Sequence, residues 1–219
     1  CHNTGDIDAR YADLGGIVGN FDNGDMVIIR NCYNEGNLSN GSSTGGIVGR
    51  ITFRNGIENS RIQNCYNLGN ISGTNTHIGG IVGVLYEGIV TNCYNKGVVE
   101  LFGARAGGIA GAIYGSQITN CFNVNYVSGN AEGAIAGWAG SPSSTINNCY
   151  WGVDCTTTTV VGSGTVTESN CGTVTEEEVN SESWYLDSSK WDSEYPWDFD
   201  YDWNVESGVN DSYPTLSAV

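Results

Sequence analysis

The apolar residues of this chain fall in short runs cut apart by Gly, Asn and Ser, and the runs recur in a fixed order. Gly-Gly-Ile-Val-Gly stands at Gly15–Gly19, Gly45–Gly49 and Gly79–Gly83, becomes Gly-Gly-Ile-Ala-Gly at Gly107–Gly111, and wears to Gly-Ala-Ile-Ala-Gly at Gly133–Gly137. A second run follows each copy: Ile-Arg-Asn-Cys-Tyr-Asn at Ile29–Asn34, then Ile62–Asn67, Val90–Asn95, Ile118–Asn123, and Ile146–Tyr150, which continues into Trp151. A third, Gly36–Leu38, is echoed at Gly69–Ile71, Gly97–Val99 and Asn125–Val127. From Cys1 onward the spacing between repeat cysteines is 31, 33, 28, 28 and 28 residues.

None of these runs is long enough for a helix, and their alternation and β-branched residues predict strands. A unit with three short strands cannot bury its own apolar side, whereas stacked units share one continuous core. The expected fold is all-β: a right-handed parallel β-helix, one three-strand coil per repeat of 28–33 residues. The hand follows from the preference of parallel crossovers. Extra residues concentrate after the Gly-Ile-Val-Gly run, at Asn20–Met26 and Arg50–Asn59. Insertions of this kind mark one side of a solenoid. Phe21 and Phe53, with the polar residues around them, are therefore candidate contact residues, against the plainer reading of solvated loops.

Composition moves the picture in two ways. Gly is 32 of 219 residues with only 3 Pro, which excludes collagen and disfavours helical bundles. The net charge of −16 argues against nucleic acid and against an anionic membrane, and no apolar run is long enough for a transmembrane helix. The charge is also lopsided. Residues 1–151 carry 10 acids and 7 bases, whereas 152–219 carry 14 acids and a single base, with five of the six Trp at or after Trp151. That break predicts β-solenoid repeats over 1–151 and a C-terminal acidic, aromatic cap over 152–219, whose simplest task is to cover the open end of the last coil.

The Gly-Gly-Ile-Val-Gly run followed by Ile-x-Asn-Cys-Tyr-Asn-x-Gly resembles the GLUG repeat of bacterial surface and secreted proteins, among them adhesin-like proteins and the non-catalytic part of immunoglobulin A1 metalloproteases. The stretch from Gly172 to Glu177, Trp197–Phe199, Trp203 and Tyr213–Leu216 is similar to the segment that ends such arrays. The resemblance implies an extracellular or cell-surface structural or adhesive module, with no catalytic residues or cofactor to carry over. Cys155 and Cys171 depart from it.

Repeat phase sorts the candidate residues. Cys1, Cys32, Cys65, Cys93, Cys121 and Cys149 share one position and are expected to stack as a buried column of free thiols, because parallel Cβ vectors suit a disulfide torsion badly. Cys155 and Cys171 lie outside the repeat and are the expected disulfide. Two asparagine columns, Asn31 to Asn148 and Asn34 to Asn123, suit turns and amide stacking. If Cys points inward, Tyr33, Tyr66, Tyr94, Phe122 and Tyr150 point outward. They then either contact a glycan or protein, or cover the rod itself. The alternation of acid and aromatic from Asp192 to Asp202 predicts a strand. Asp198, Asp200 and Asp202 offer oxygens to Ca²⁺, although the glycine and distal Glu of a calcium hand are missing.

No His-Glu-x-x-His, Gly-x-Ser-x-Gly or phosphate-loop motif occurs. The expected function is thus non-enzymatic. The rival is a carbohydrate-active β-helix enzyme using Asp22 and Asp25, the only close acid pair in a loop of the repeats. Residue 1 aligns with mid-coil Cys32, so the stretch reads as a stalk fragment, or as a head-to-tail fibre subunit completed by Tyr213–Val219 of a neighbour. A lipidated leading Cys is the other reading of this start.

Overall fold

The computed structural model describes residues 1–24, 27–53, 60–74, 76–102, 105–206 and 208–217. The chain winds into a right-handed parallel β-helix whose strands stack in register from coil to coil. One coil runs through Arg61–Asn67, Ile71–Gly73, His77–Gly79 and Val82–Tyr86, then returns to the first sheet at Ile89–Asn95. Each coil therefore has four strands, not the three expected. The Gly-Gly pair is the reason: it turns a corner inside one apolar run, leaving His77–Gly79 in a third sheet and Val82–Tyr86 in a fourth.

Glycine is required there by close approach. A Cβ on Gly80 would lie 2.1 Å from the Gly108 carbonyl oxygen and 2.3 Å from Asn95 Cγ. The asparagine fills the space the glycine leaves. Asn3, Asn34, Asn67, Asn95 and Asn123 form a ladder in which each amide donates to the next side-chain oxygen at 2.7–2.8 Å. The same Nδ2 of Asn34, Asn67 and Asn95 also donates to the glycine carbonyl two residues on. Each buried amide is thus satisfied inside the corner it stabilises.

The inward columns are apolar. Cys32 pairs with Cys65 and Cys65 with Cys93, beside Ile29, Ile62 and Val90. Across the lumen, Ile51, Leu85, Ile113 and Ala139 stack in the fourth sheet. The thiols are capped locally: Cys65, Cys93 and Cys121 donate to the carbonyl two residues back at 3.1–3.2 Å. Burial pushes all three thiols well up from their usual range, so they are inert small hydrophobes.

The expected boundary at 151 falls one coil short. Val161–Gly164 extends the fourth sheet, and Thr167–Ser169 and Gly172–Val174 extend the first. Only after this coil does the chain leave the solenoid, through two one-turn helices, α1 (Glu176–Val179) and α2 (Glu182–Tyr185). Thr175 and Glu178 form a capping box that marks the exit.

The extra coil also corrects the disulfide. All eight cysteines are free thiols. Tyr150 pairs with Gly172, so Cys171 is the next rung below Cys149, and it donates to Ile146 and Ser169 carbonyls as the other column members do to theirs. Cys155 instead ends the asparagine ladder, where Asn123 Nδ2 donates to its sulfur at 3.7 Å. The two thiols serve different columns.

Candidate contact face

Two sets of rings lie on the outside of this rod, and the chain treats them differently. The first is the column beside the cysteines. Tyr33, Tyr66, Tyr94 and Phe122 stack face to face at 4.9–5.1 Å. They do point out of the lumen, as alternation requires, yet Tyr66, Tyr94, Phe122 and Tyr150 are buried. The C-terminal segment folds back along this flank and lays Trp184, Trp191, Trp197, Trp203 and Tyr213 over them. It covers a side of the rod and not its end, so these rings, Tyr33 apart, are unavailable to a ligand.

Docking of that segment uses the other asparagine column. Asn31, Asn64, Asn92, Asn120, Asn148 and Asn170 all hold φ between 50° and 54°, a left-handed turn that aims their amides outward. Asn31 and Asn64 donate to the two oxygens of Asp202, Asn92 to the Pro196 carbonyl, and Asn120 to the Tyr195 carbonyl. Tyr94 Oη donates to the Pro214 carbonyl at 2.6 Å. Two of the three calcium candidates are engaged within the chain. Asp202 is spent on two asparagines, Asp198 Oδ1 accepts the amides of Asp200 and Tyr201, and among the described residues no cluster of His, Cys, Asp or Glu fits a metal. The acid–aromatic stretch is built of turns, with Trp191 and Trp197 inward, and the expected strand is absent from it.

The terminal strand is occupied as well. Thr215–Leu216 pairs antiparallel with Trp203–Asn204 of the same chain, so one edge of the segment expected to bridge to a neighbour is in use within the chain.

The second set of rings is open. On the fourth sheet Val84 and Tyr86 face outward from Leu85, as do Ala112 and Tyr114 from Ile113. Tyr86 and Tyr114 stack at 4.2 Å with their planes 10° apart, and Trp138 meets Tyr114 edge-on at 5.0 Å. Gly140 ends the stack, since a Cβ there would sit 2.4 Å from Tyr114 Cε1. Two guanidiniums bracket the rings: Arg50 lies 5.5 Å from the Tyr86 centroid and Arg105 lies 3.9 Å from that of Trp138. Arg105 Nη1 also donates to His77 Nε2 at 3.0 Å. Burial, then Arg105, then Arg50 hold the His77 imidazole down at about 4, so it is neutral and accepts this bond. All six side chains are half-buried. Burial also pushes the Tyr114 hydroxyl up to about 12.

Arg50 is the one member of this set within the insertions singled out by repeat length. Asn20, Asp22 and Thr52 line a cleft with it and Tyr86. Phe21 is turned inward, packed on the core beside Ile51. Phe53 ends a strand of the fourth sheet, and nothing is described of its side chain; Asp25, Met26 and residues 54–59 lie outside the described residues. The signal for the other members was in the sequence. His77 and Arg105 are 28 residues apart, as are Tyr86 and Tyr114, so each pair shares a repeat position.

The fold and its surface define a class: a right-handed parallel β-helix of Gly-Gly-corner repeats with one flank covered by its own C-terminal segment. The GLUG motif matches residues 74–100, one turn of that helix. The crystal structure of a "putative immunoglobulin A1 protease from Bacteroides ovatus" is similar over 99% of this chain and 68% of that one, with a TM-score of 0.63 and 23% identity. At that identity the likeness concerns the fold. No curated protein matches the chain.

Proposed function

We propose that this chain is a non-enzymatic, extracellular adhesive module of a bacterial surface or secreted protein, and that it contacts its ligand through the Tyr86–Tyr114–Trp138 face. The GLUG motif and the likeness to a protein described as an immunoglobulin A1 protease support the module and its setting. One observation carries the contact face: of the two outward aromatic sets, the chain buries one under six aromatic side chains of its C-terminal segment and leaves the other uncovered. Half-buried rings held in a fixed stack present their edges and hydroxyls at little entropic cost, as a contact surface requires.

The test is retention on an immobilised glycan array and on host-cell extracellular matrix. Trp138→Ala and Tyr86→Ala should abolish retention, while Phe102→Ala, which removes a ring 69% exposed on another part of the rod, should leave it intact. Retention equal in all three would overturn the reading. Turnover of a bound polysaccharide, lost in Asp22→Asn, would move the assignment to an enzyme.

A further inference from the structure

We infer that the end of the rod after its last coil is a docking edge for an extended segment of another protein, one that carries a Lys or Arg two positions from an apolar residue. This site uses neither aromatic stripe and is independent of the contact face proposed above.

The four sheets end there in two ways. The second and third close on side chains: Thr156 Oγ1 donates to the Val127 carbonyl, and Thr157 and Thr159 Oγ1 donate to that of Glu132. Hydroxyls in these places stand in for a further strand and blunt the edges. The first and fourth sheets end on regular strands, Thr167–Ser169, Gly172–Val174 and Val161–Gly164. Each is paired on one edge only among the described residues. Thr167 N–H donates to the Ser144 carbonyl and the Ser169 carbonyl accepts from Asn148, so the N–H and C=O of Glu168 between them face away from the rod. The C-terminal segment lies along a flank and does not supply the missing strand.

Between these strands lies a recess of about 670 Å³, with Trp151, Val160, Val161, Val166 and Cys171 as its apolar lining. Glu168 sets its chemistry. It takes the inward position of Ile118 and Ile146, so its exposed carboxylate stands over the lumen, and it makes no ion pair among the described residues. Anything that covers the end buries this acid, and an unpaired buried carboxylate is costly. A covering strand must therefore bring a cation to Glu168, and strand alternation puts its next inward residue, an apolar one, over Val166. The same acid turns away strands that lack a base.

A second copy of this chain does not fit. Two such ends face to face would set Glu168 against Glu168. The bases borne on strands, Arg30, Arg50, Arg61 and Arg105, belong to strands already stacked within the rod, and Tyr213–Val219 contains none. The partner is a different chain.

The experiment is fluorescence anisotropy of the labelled nonapeptide Thr-Val-Thr-Val-Thr-Lys-Thr-Val-Thr titrated with the full chain. Saturable binding is expected, on the order of tenfold weaker when Glu replaces the Lys and lost when the peptide's backbone nitrogens are methylated. Glu168→Lys should reverse the preference, taking the Glu peptide over the Lys peptide, because it reverses the charge over the lumen. Glu35→Lys, the same change at an exposed residue near the other end of the rod, should behave as wild type. Circular dichroism of each variant separates a lost contact from a lost fold. Equal binding of the Lys and Glu peptides, or a preference unmoved by Glu168→Lys, would overturn the assignment of the base. Full binding of the methylated peptide would overturn the strand. Binding of no peptide would leave Glu168 as edge protection alone and overturn the inference. Self-association of the chain, altered by Glu168→Lys, would give this end to a second copy and overturn it as well.

Discussion

The same rod carries two aromatic stripes with opposite fates. On the first sheet, Tyr66, Tyr94, Phe122 and Tyr150 are interior residues of the folded chain, sealed by Trp184, Trp191, Trp197 and Trp203. On the fourth sheet, Tyr86, Tyr114 and Trp138 remain at the surface between two arginines. Both arise by the same device, an aromatic residue repeated at one phase of the coil. The lesson is that a repeated outward ring says nothing by itself about availability. What decides is whether some other part of the chain brings apolar side chains and complementary hydrogen bonds to that flank. The left-handed Asn column next to the first stripe supplies those bonds, whereas the left-handed residues that follow Tyr86 and Tyr114 are Glu87 and Gly115.

The contrast is most sharply broken by Trp203→Ala. Its side chain is 1% exposed and touches Tyr66, Tyr94 and Trp197, so truncation should cost about 3–5 kcal/mol in urea unfolding. Tyr114→Ala on the open stripe should cost much less. Equal losses would mean the open stripe is as structural as the covered one.

A smaller effect is expected from the docking bonds. Asn64→Ala removes one of the two amides on Asp202 and should cost about 1–2 kcal/mol, with new protease cleavage in the C-terminal segment before the solenoid itself is cut. Loss of stability with no change in cleavage order would place the asparagine's role inside the rod.

Thiol chemistry gives a yes-or-no reading with no energetic cost. In native protein the thiols from Cys65 to Cys121 should resist labelling, and denaturation without reductant should release all eight. Protection of Cys155 and Cys171 after denaturation would restore the disulfide expected from the sequence and displace Cys171 from the column.

The smallest expected effect concerns pH. His77 is held near 4 in the fold and titrates near its ordinary 6.5 when unfolded, so between those values the unfolded chain binds the extra proton. Stability contributed by this group is complete above pH 6.5, falls as pH drops toward 4, and changes no further below that. The difference in unfolding free energy between wild type and His77→Gln should show this slope, and a flat difference would mean Arg105 and Trp138 do not confine the imidazole.

Much of this architecture could be read from spacing alone. Repeat phase correctly predicted parallel coils, because identical residues at equal spacing must fall above one another once the coil closes; Cys65 stands beside Cys93 and Asn67 donates to Asn95 for that reason. It misjudged the strand count because a Gly-Gly corner is indistinguishable in sequence from a glycine inside a strand; only the packing of Gly80 against Asn95 shows the chain turning there. It also ended the solenoid too early. In the last coil Glu168 stands where earlier coils carry Ile146 and Ile118, and Gly172 stands where they carry Tyr150 and Phe122, so the signature fades while the backbone ladder continues.

What the sequence determined by itself is local and periodic: which residues repeat, hence which stack, and which side of each strand faces the lumen. Those follow from the two-residue alternation of a strand and the fixed rise between coils, and neither needs knowledge of distant residues. What only the tertiary structure decided is where the non-repeating C-terminal segment lies. Its turns place Asp202 on Asn31 and Asn64, separated from it by 171 and 138 residues, and Trp203 on Tyr66 and Tyr94. No periodicity links those positions. Their meeting is set by complementary shape and by the pairing of buried polar groups, and that meeting covers one aromatic stripe and leaves the other in water.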